Sequence, residues 1–204
     1  MIRPPASEFR CANLLTYAGV SAAALGIAFT KGPETRFWAG AGIALAVACD
    51  LFDGRFARLF TRTDEEKKFG VEIDSLADVI SFGLAPAVCL FRAAPAAPAA
   101  MQAMLLAAGT FYLLCIMTRL AHFNIFQAGT GGFIGLPSNL PALFFAVVLF
   151  WSPSPLLMSA LLVIAGGATV AGFPIPRPNR VVLYTLLAIC IVVAGLHVFC
   201  LAAG

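Results

Sequence analysis

Charge is scarce in this sequence. Asp, Glu, Lys and Arg together make up 11% of its 204 residues, against about a quarter in a soluble domain, and that shortage excludes an ordinary soluble fold. Acid is missing from more than half of the chain: no Asp or Glu follows Asp78. Paired metal-site cysteines are missing too. The six cysteines (Cys11, Cys49, Cys89, Cys115, Cys190 and Cys200) form no CxxC and have no histidine at ligand spacing. A zinc site and a disulfide framework are thereby excluded, leaving six small apolar residues. No internal repeat is evident, and "RAAPAAPAAMQAM" is an Ala/Pro-rich connection with no chemistry in it. A second, soluble domain has no room, so residues 1–204 are expected to form one domain.

What is present in abundance is hydrocarbon. Hydrophobic residues reach 61% and the mean hydropathy is +0.93. Runs of about 20 apolar residues recur, as bilayer-crossing helices require. Seven are expected, at roughly 11–30, 36–58, 70–91, 99–120, 137–152, 155–173 and 181–203. The fifth is short, and "WSPSP" reads either as a tight turn or as part of a re-entrant hairpin, so six spans plus one broken element is an alternative. The expected fold is an all-α, polytopic transmembrane bundle of six to seven spans. With the N-terminus in the cytosol, only Lys31, Arg36 and Arg92 of the thirteen cations fall outside, as the positive-inside bias demands. Arg3, Arg10, Arg55, Arg58, Arg62, Lys67, Lys68, Arg119, Arg177 and Arg180 all fall inside.

The acids that exist are crowded together. Eight of ten lie between Asp50 and Asp78. Asp64, Glu65 and Glu66, in "RTDEEKK", read as a solvated mixed-charge turn. Asp50 and Asp53 are spaced i, i+3, and Asp74 and Asp78 i, i+4, so each pair shares one helix face. Counting up from Arg58, Asp53 and Asp50 sit about 7 and 12 Å into the second span at 1.5 Å per residue. Counting from Gly70, Asp74 and Asp78 sit about 6 and 12 Å into the third. Antiparallel neighbours then bring Asp53 near Asp74 and Asp50 near Asp78. A carboxylate in hydrocarbon costs about 2.5–3.5 kcal/mol, and four so close cannot all stay ionised unaided. Hard divalent cations with oxygen ligands solve this, and two of them cancel the charge. A two-metal cluster suits in-line displacement at phosphorus. Gly54 permits close approach to the backbone, Ala57 keeps the same face low, and Arg58 and Arg55 can meet phosphate at the cytosolic mouth. Acids at membrane depth also mark cation or proton transporters. Such proteins expect acids or broken helices in both halves of the chain, and the second half here has no acid.

"DLFDGRFAR…FGVEIDSLAD" resembles the signature of the CDP-alcohol phosphatidyltransferase family: D-x-x-D-G-x-x-A-R, a spacer, then G-x-x-x-D-x-x-x-D. The resemblance implies an integral membrane enzyme that transfers a phosphatidyl group from CDP-diacylglycerol to an alcohol and releases CMP. Its active site would lie between spans 2 and 3 near the cytosolic face, in a prokaryotic inner or cell membrane. By position it implies Asp50, Asp53, Asp74 and Asp78 as ligands of Mg²⁺ or Mn²⁺, two per site, with Asp78 also the catalytic base. Gly54, Ala57, Arg58 and Gly70 would line the nucleotide. "NLLT" resembles the start of the family's first span, implying that Asn13 and Thr16 help to hold the CDP group. The spacer "LFTRTDEEKKF" is longer than the family's usual one, in a charged segment where loop closure costs little.

"FGVEIDSLADVISFGLAPAV", "TRLAHFN" and "FIGLPS" resemble the serine-accepting branch of that family. That implies L-serine as acceptor, with Arg119 and Asn124 binding its carboxylate and amine. His122 stands where the branch usually carries a second Arg, and "LPSNLPA" replaces its usual LPxP. Another acceptor, such as glycerol phosphate or inositol phosphate, stays open, as does the cation transporter as a reading of another class. Such phosphorylated alcohols would want a strongly basic pocket, which spans 4 to 7 lack. The implied partners are CDP-diacylglycerol, a small alcohol and membrane lipids, with no nucleic acid; monomer and homodimer are both open. His122 reads as an interfacial residue, and His197 as an inert one near the outer end of the last span.

Overall fold

The computed structural model describes residues 4–127, 132–151, 153–176 and 178–203; Arg3 and Arg177, counted among the cytosolic cations, lie outside them. Seven helices run through the described residues: α1 Cys11–Phe29, α2 Pro33–Leu59, α3 Asp64–Arg92, α4 Ala99–Gln127, α5 Asn139–Val148, α6 Pro155–Val170 and α7 Arg180–Ala203. Five are long and apolar enough to cross a bilayer; α5 and α6 are shorter. The fold is an all-α membrane bundle.

Helix α2 is the axis. Helices α1, α5 and α7 pack along it, α4 pairs with α6, and α3 joins the two groups. The α1–α2 seam is built from small residues: Gly19, Ala22, Ala23 and Gly26 face Ala39, Gly42, Ala46 and Cys49. A Cβ on Gly42 would stand 2.5 Å from the Ala22 carbonyl oxygen. Where lipid tails are as apolar as leucine, such close backbone approach drives helix association. Around it, Ile43, Val47, Phe82, Leu90, Tyr112, Ile116, Phe145 and Leu162 form a buried core, while Leu106, Ile164, Ile191 and Phe199 are exposed, as lipid-facing residues should be. His197 is wholly buried rather than peripheral. Its Nε2 lies 2.8 Å from the Ala146 carbonyl, its ring stacks on Phe150, and a Cβ on Gly40 would collide with it. All six cysteines are free.

Two elements differ from the expectation. The third helix starts at Asp64 rather than near Gly70. "RTDEEKK" is therefore not a free turn: Thr63 Oγ1 accepts from Glu66 N–H, Glu66 Oε2 accepts from Thr63 N–H, and Arg10 pairs with Glu66 Oε1 at 2.9 Å. This reciprocal cap satisfies two of the helix's open donors. The fifth helix is ten residues long, about 15 Å. It need not be longer, because the chain before it already lies at the depth of the acids. Strand β1 Gly132–Ile134 pairs antiparallel with β2 Pro174–Pro176. Gly135, at φ 77°, donates to the Phe173 carbonyl, and Leu136 N–H to the Ala168 carbonyl. These bonds keep non-helical backbone satisfied at membrane depth. At the far end Arg36 Nε donates to the Leu149 carbonyl at 2.8 Å. Of "WSPSP", Ser152 lies outside the described residues; Ser154 caps α6, its Oγ accepting from Leu157 N–H.

Candidate active site

The acids come together from α2 and α3. Carboxylate oxygens of Asp50, Asp74 and Asp78 lie within 4.8 Å of one another. Asp53 is within hydrogen-bonding reach of Asp74, and Asp50 of Asp78, which is the register the spacing predicts. Each carboxylate of that register except Asp74 also has a donor from elsewhere in the bundle. Thr16 Oγ1 of α1 donates to Asp53 Oδ2 at 2.9 Å. Asn139 Nδ2, at the start of α5, donates to Asp50 Oδ2 at 2.8 Å. Ser138 Oγ donates to Asp78 Oδ2 at 3.4 Å. Among the acids, Thr16, Gly19, Cys49 and Ser81 is a gap of about 10 Å³, room for one water-sized sphere. An all-carboxylate set at this separation fits a hard divalent cation.

A cavity of about 310 Å³ opens on the Asp53–Asp74 side, lined by Ala12, Asn13, Thr16, Asp53, Gly54, Ala57, Arg62, Lys67, Gly70, Val71 and Asp74. A Cβ on Gly54 would meet nothing within 4 Å, so the space beside it is open. The cations on this cavity are Arg62 and Lys67. Arg58 instead turns back to donate to the Gly54 carbonyl at 2.9 Å, and Arg55 lies over the Tyr184 ring.

Arg119 is buried beyond Asp78. Its Nη1 donates to Ser138 Oγ at 3.5 Å, and Ser138 in turn donates to Asp78. Phe123 and Phe133 flank the guanidinium at 5.5 and 5.7 Å, and its buried Nε has no hydrogen-bond partner among the described residues. With Thr118, His122, Ile134 and Thr169 it lines a second cavity of about 290 Å³. Asn124 is not in that cavity; its Nδ2 donates to Ser75 Oγ at 2.8 Å. His122 Nδ1 lies 2.9 Å from Gln127 Nε2.

Residues 9–172 match the family CDP-alcohol phosphatidyltransferase. The chain belongs to that family. A CDP-diacylglycerol–serine O-phosphatidyltransferase of Methanocaldococcus jannaschii is 32% identical over 161 residues, covering 78% of this chain and 75% of that protein. The archaetidylserine synthase of Methanothermobacter thermautotrophicus is 40% identical over 98 residues, covering 48% of this chain and 40% of its own. A CDP-diacylglycerol–serine O-phosphatidyltransferase of Bacillus subtilis is 31% identical over 110 residues, covering 54% of this chain and 58% of its own. As a CDP-alcohol phosphatidyltransferase the protein is an enzyme.

Proposed function

We propose that this phosphatidyltransferase joins the phosphatidyl group of CDP-diacylglycerol to the hydroxyl of L-serine, yielding phosphatidylserine and CMP, at a site open to the cytosol. The observation that carries the reading is the placement of the acid cluster between two cavities of different character. One has Arg62 and Lys67 for phosphate; the other has a single buried guanidinium for a carboxylate. The names of the relatives point to the same acceptor.

Asp50, Asp53, Asp74 and Asp78 would hold Mg²⁺ or Mn²⁺, two ions in full occupancy, which would supply charge neutralisation at the pyrophosphate. Asn13, Thr16, Gly54, Ala57 and Gly70 border the CDP group, and Arg62 and Lys67 take the phosphate role expected of Arg58. The diacylglycerol tails stay in the bilayer. Arg119 pairs with the serine carboxylate, a charge-assisted bond strengthened by burial, whereas Asn124, bonded to Ser75 outside that cavity, has no part in holding the acceptor. Asp78 removes the hydroxyl proton as the serine oxygen attacks the β-phosphorus. The Ser138 hydroxyl orients that carboxylate, and Arg119 stands one hydrogen bond further off. The test is to incubate purified protein with CDP-diacylglycerol, Mn²⁺ and a panel of alcohols, then identify the lipid by mass spectrometry. Phosphatidylserine with stoichiometric CMP is expected. Product from glycerol phosphate but none from serine would overturn the acceptor assignment, and no CMP with any alcohol would overturn the reading as a whole.

A further inference from the structure

The third helix changes pitch at the residue after Asp78. Val79–Leu84 is a π-helical segment, succeeded by α-helix over Ala85–Arg92, and Ala85 N–H bonds to the Ile80 carbonyl, five residues back. The cause lies in the sequence. In an α-helix the Phe82 carbonyl would accept from the N–H of residue 86. That residue is Pro86, which has no N–H and crowds the carbonyl four residues before it. Phe82 O thereby loses its α-helical donor in the bundle core. The phenol of Tyr112, wholly buried on α4, donates to it at 2.7 Å. The same face of α4 seats the segment closely: a Cβ on Gly83 would stand 2.7 Å from Leu113 Cδ1 and 3.4 Å from Ile116 Cγ2. Tyr112 is itself fixed edge-on against Phe145, with ring centroids 5.4 Å apart.

A π turn holds one residue more than an α turn, so it rotates the helix on its N-terminal side against the helix on its C-terminal side by about 100°, one residue's step. On the N-terminal side stands Asp78. On the C-terminal side is the half-helix locked into the core by Cys89 and Leu90, both fully buried. We infer that Tyr112 is a positioning residue for the reaction: by bonding the carbonyl that Pro86 leaves open, it holds the π turn and so aims Asp78 at Asp50. This deepens, and rests on, the assignment of Asp78 to metal binding and proton removal.

The experiment compares wild type, Tyr112→Phe, Asp78→Asn and the double variant, by kcat and by Mn²⁺ binding without substrate, monitored by electron paramagnetic resonance. Tyr112→Phe keeps the ring and removes one buried donor, which is worth about ten-fold. The expected result is a fall of about that size in kcat and in Mn²⁺ affinity, with KM for CDP-diacylglycerol unchanged and no further loss in the Asp78→Asn background. Wild-type kcat and Mn²⁺ affinity in a Tyr112→Phe protein of lower thermal stability would overturn the inference, as would an equal fold-loss beside Asp78→Asn. If Tyr112→Phe alone does not accumulate, Tyr112→Phe with Pro86→Ala returns an N–H to Phe82 and allows α-helical pitch. That protein should fold and stay slow; recovery to wild-type kcat would show that only bond satisfaction mattered. Absence of CMP from wild type would sink the proposed function, whereas wild-type activity with an unaffected Tyr112→Phe sinks only this inference.

Discussion

Asn139→Ala tests whether the bundle, and not only its acids, sets the affinity of the site. Asn139 Nδ2 donates to Asp50 Oδ2 at 2.8 Å across 89 residues of sequence. A hydrogen bond to a charged group is worth about 1.5–3 kcal/mol, a factor of about 10 to 150. Asn139 is half-buried, so water can take over part of the bond, and the lower end of that range applies. Loss of such an outer partner typically weakens metal binding by about 10–100-fold. The expected outcome is a Mn²⁺ concentration for half-maximal CMP release raised about ten-fold, with kcat at saturating Mn²⁺ close to wild type. The assay is CMP release in mixed micelles across a metal titration. An unchanged metal midpoint beside a lowered kcat would refute the reasoning, because it would put Asn139 on the substrate rather than on the ligand.

Chelation should abolish CMP release and added Mg²⁺ or Mn²⁺ restore it, while Asp50→Ala, Asp53→Ala and Asp74→Ala each lose activity; full turnover in chelator would refute the metal site. Asp78→Asn should lower kcat by at least about 10²-fold, the smaller value for general-base catalysis, without rescue by saturating Mg²⁺; rescue would leave Asp78 a ligand only. Arg119→Ala should raise KM for serine about 10- to 150-fold and that for CDP-diacylglycerol far less; equal changes in both would make Arg119 structural. Gly42→Ala should lower the melting temperature, because its Cβ would stand 2.5 Å from the backbone oxygen of Ala22; an unchanged Tm would mean that the seam can open at no cost.

Local spacing makes the acid cluster legible. The i, i+3 and i, i+4 intervals fix which face each carboxylate takes, and 1.5 Å per residue fixes its depth, so Asp50, Asp53, Asp74 and Asp78 can be placed together from two adjacent segments. The motif residues Asn13, Gly54, Ala57 and Gly70 likewise border one cavity. Contacts from distant segments are not legible. Asn139 and Ser138 reach the acids only through the fold of the chain between α4 and α5, where neither period nor capping marks a partner. Arg58 is in the signature, yet its side chain finds the Gly54 carbonyl one turn back, and Arg62 faces the cavity instead. "RTDEEKK" has the look of a turn because seven charged and polar residues stand in a row; Thr63 with Glu66 three residues later is the capping-box signal that marks it as a helix start. Composition alone makes His197 look inert, although a lone histidine in an apolar helix needs a buried acceptor, and Ala146 supplies one.

The order in which the acids acquire their donors bears on biogenesis. Thr16 is synthesised before Asp53, so that carboxylate has its hydroxyl waiting when the second span leaves the ribosome. Asp50 and Asp78 have theirs 89 and 60 residues later. Until Ser138 and Asn139 are made, a nascent chain that reaches four complete spans holds two carboxylates without their final donors, at an insertion cost of about 2.5–3.5 kcal/mol each. The interval between translation of residue 78 and residue 139 is therefore the stage at which membrane quality control has most to recognise, and a chain stalled there should be degraded faster than one stalled just past Asn139.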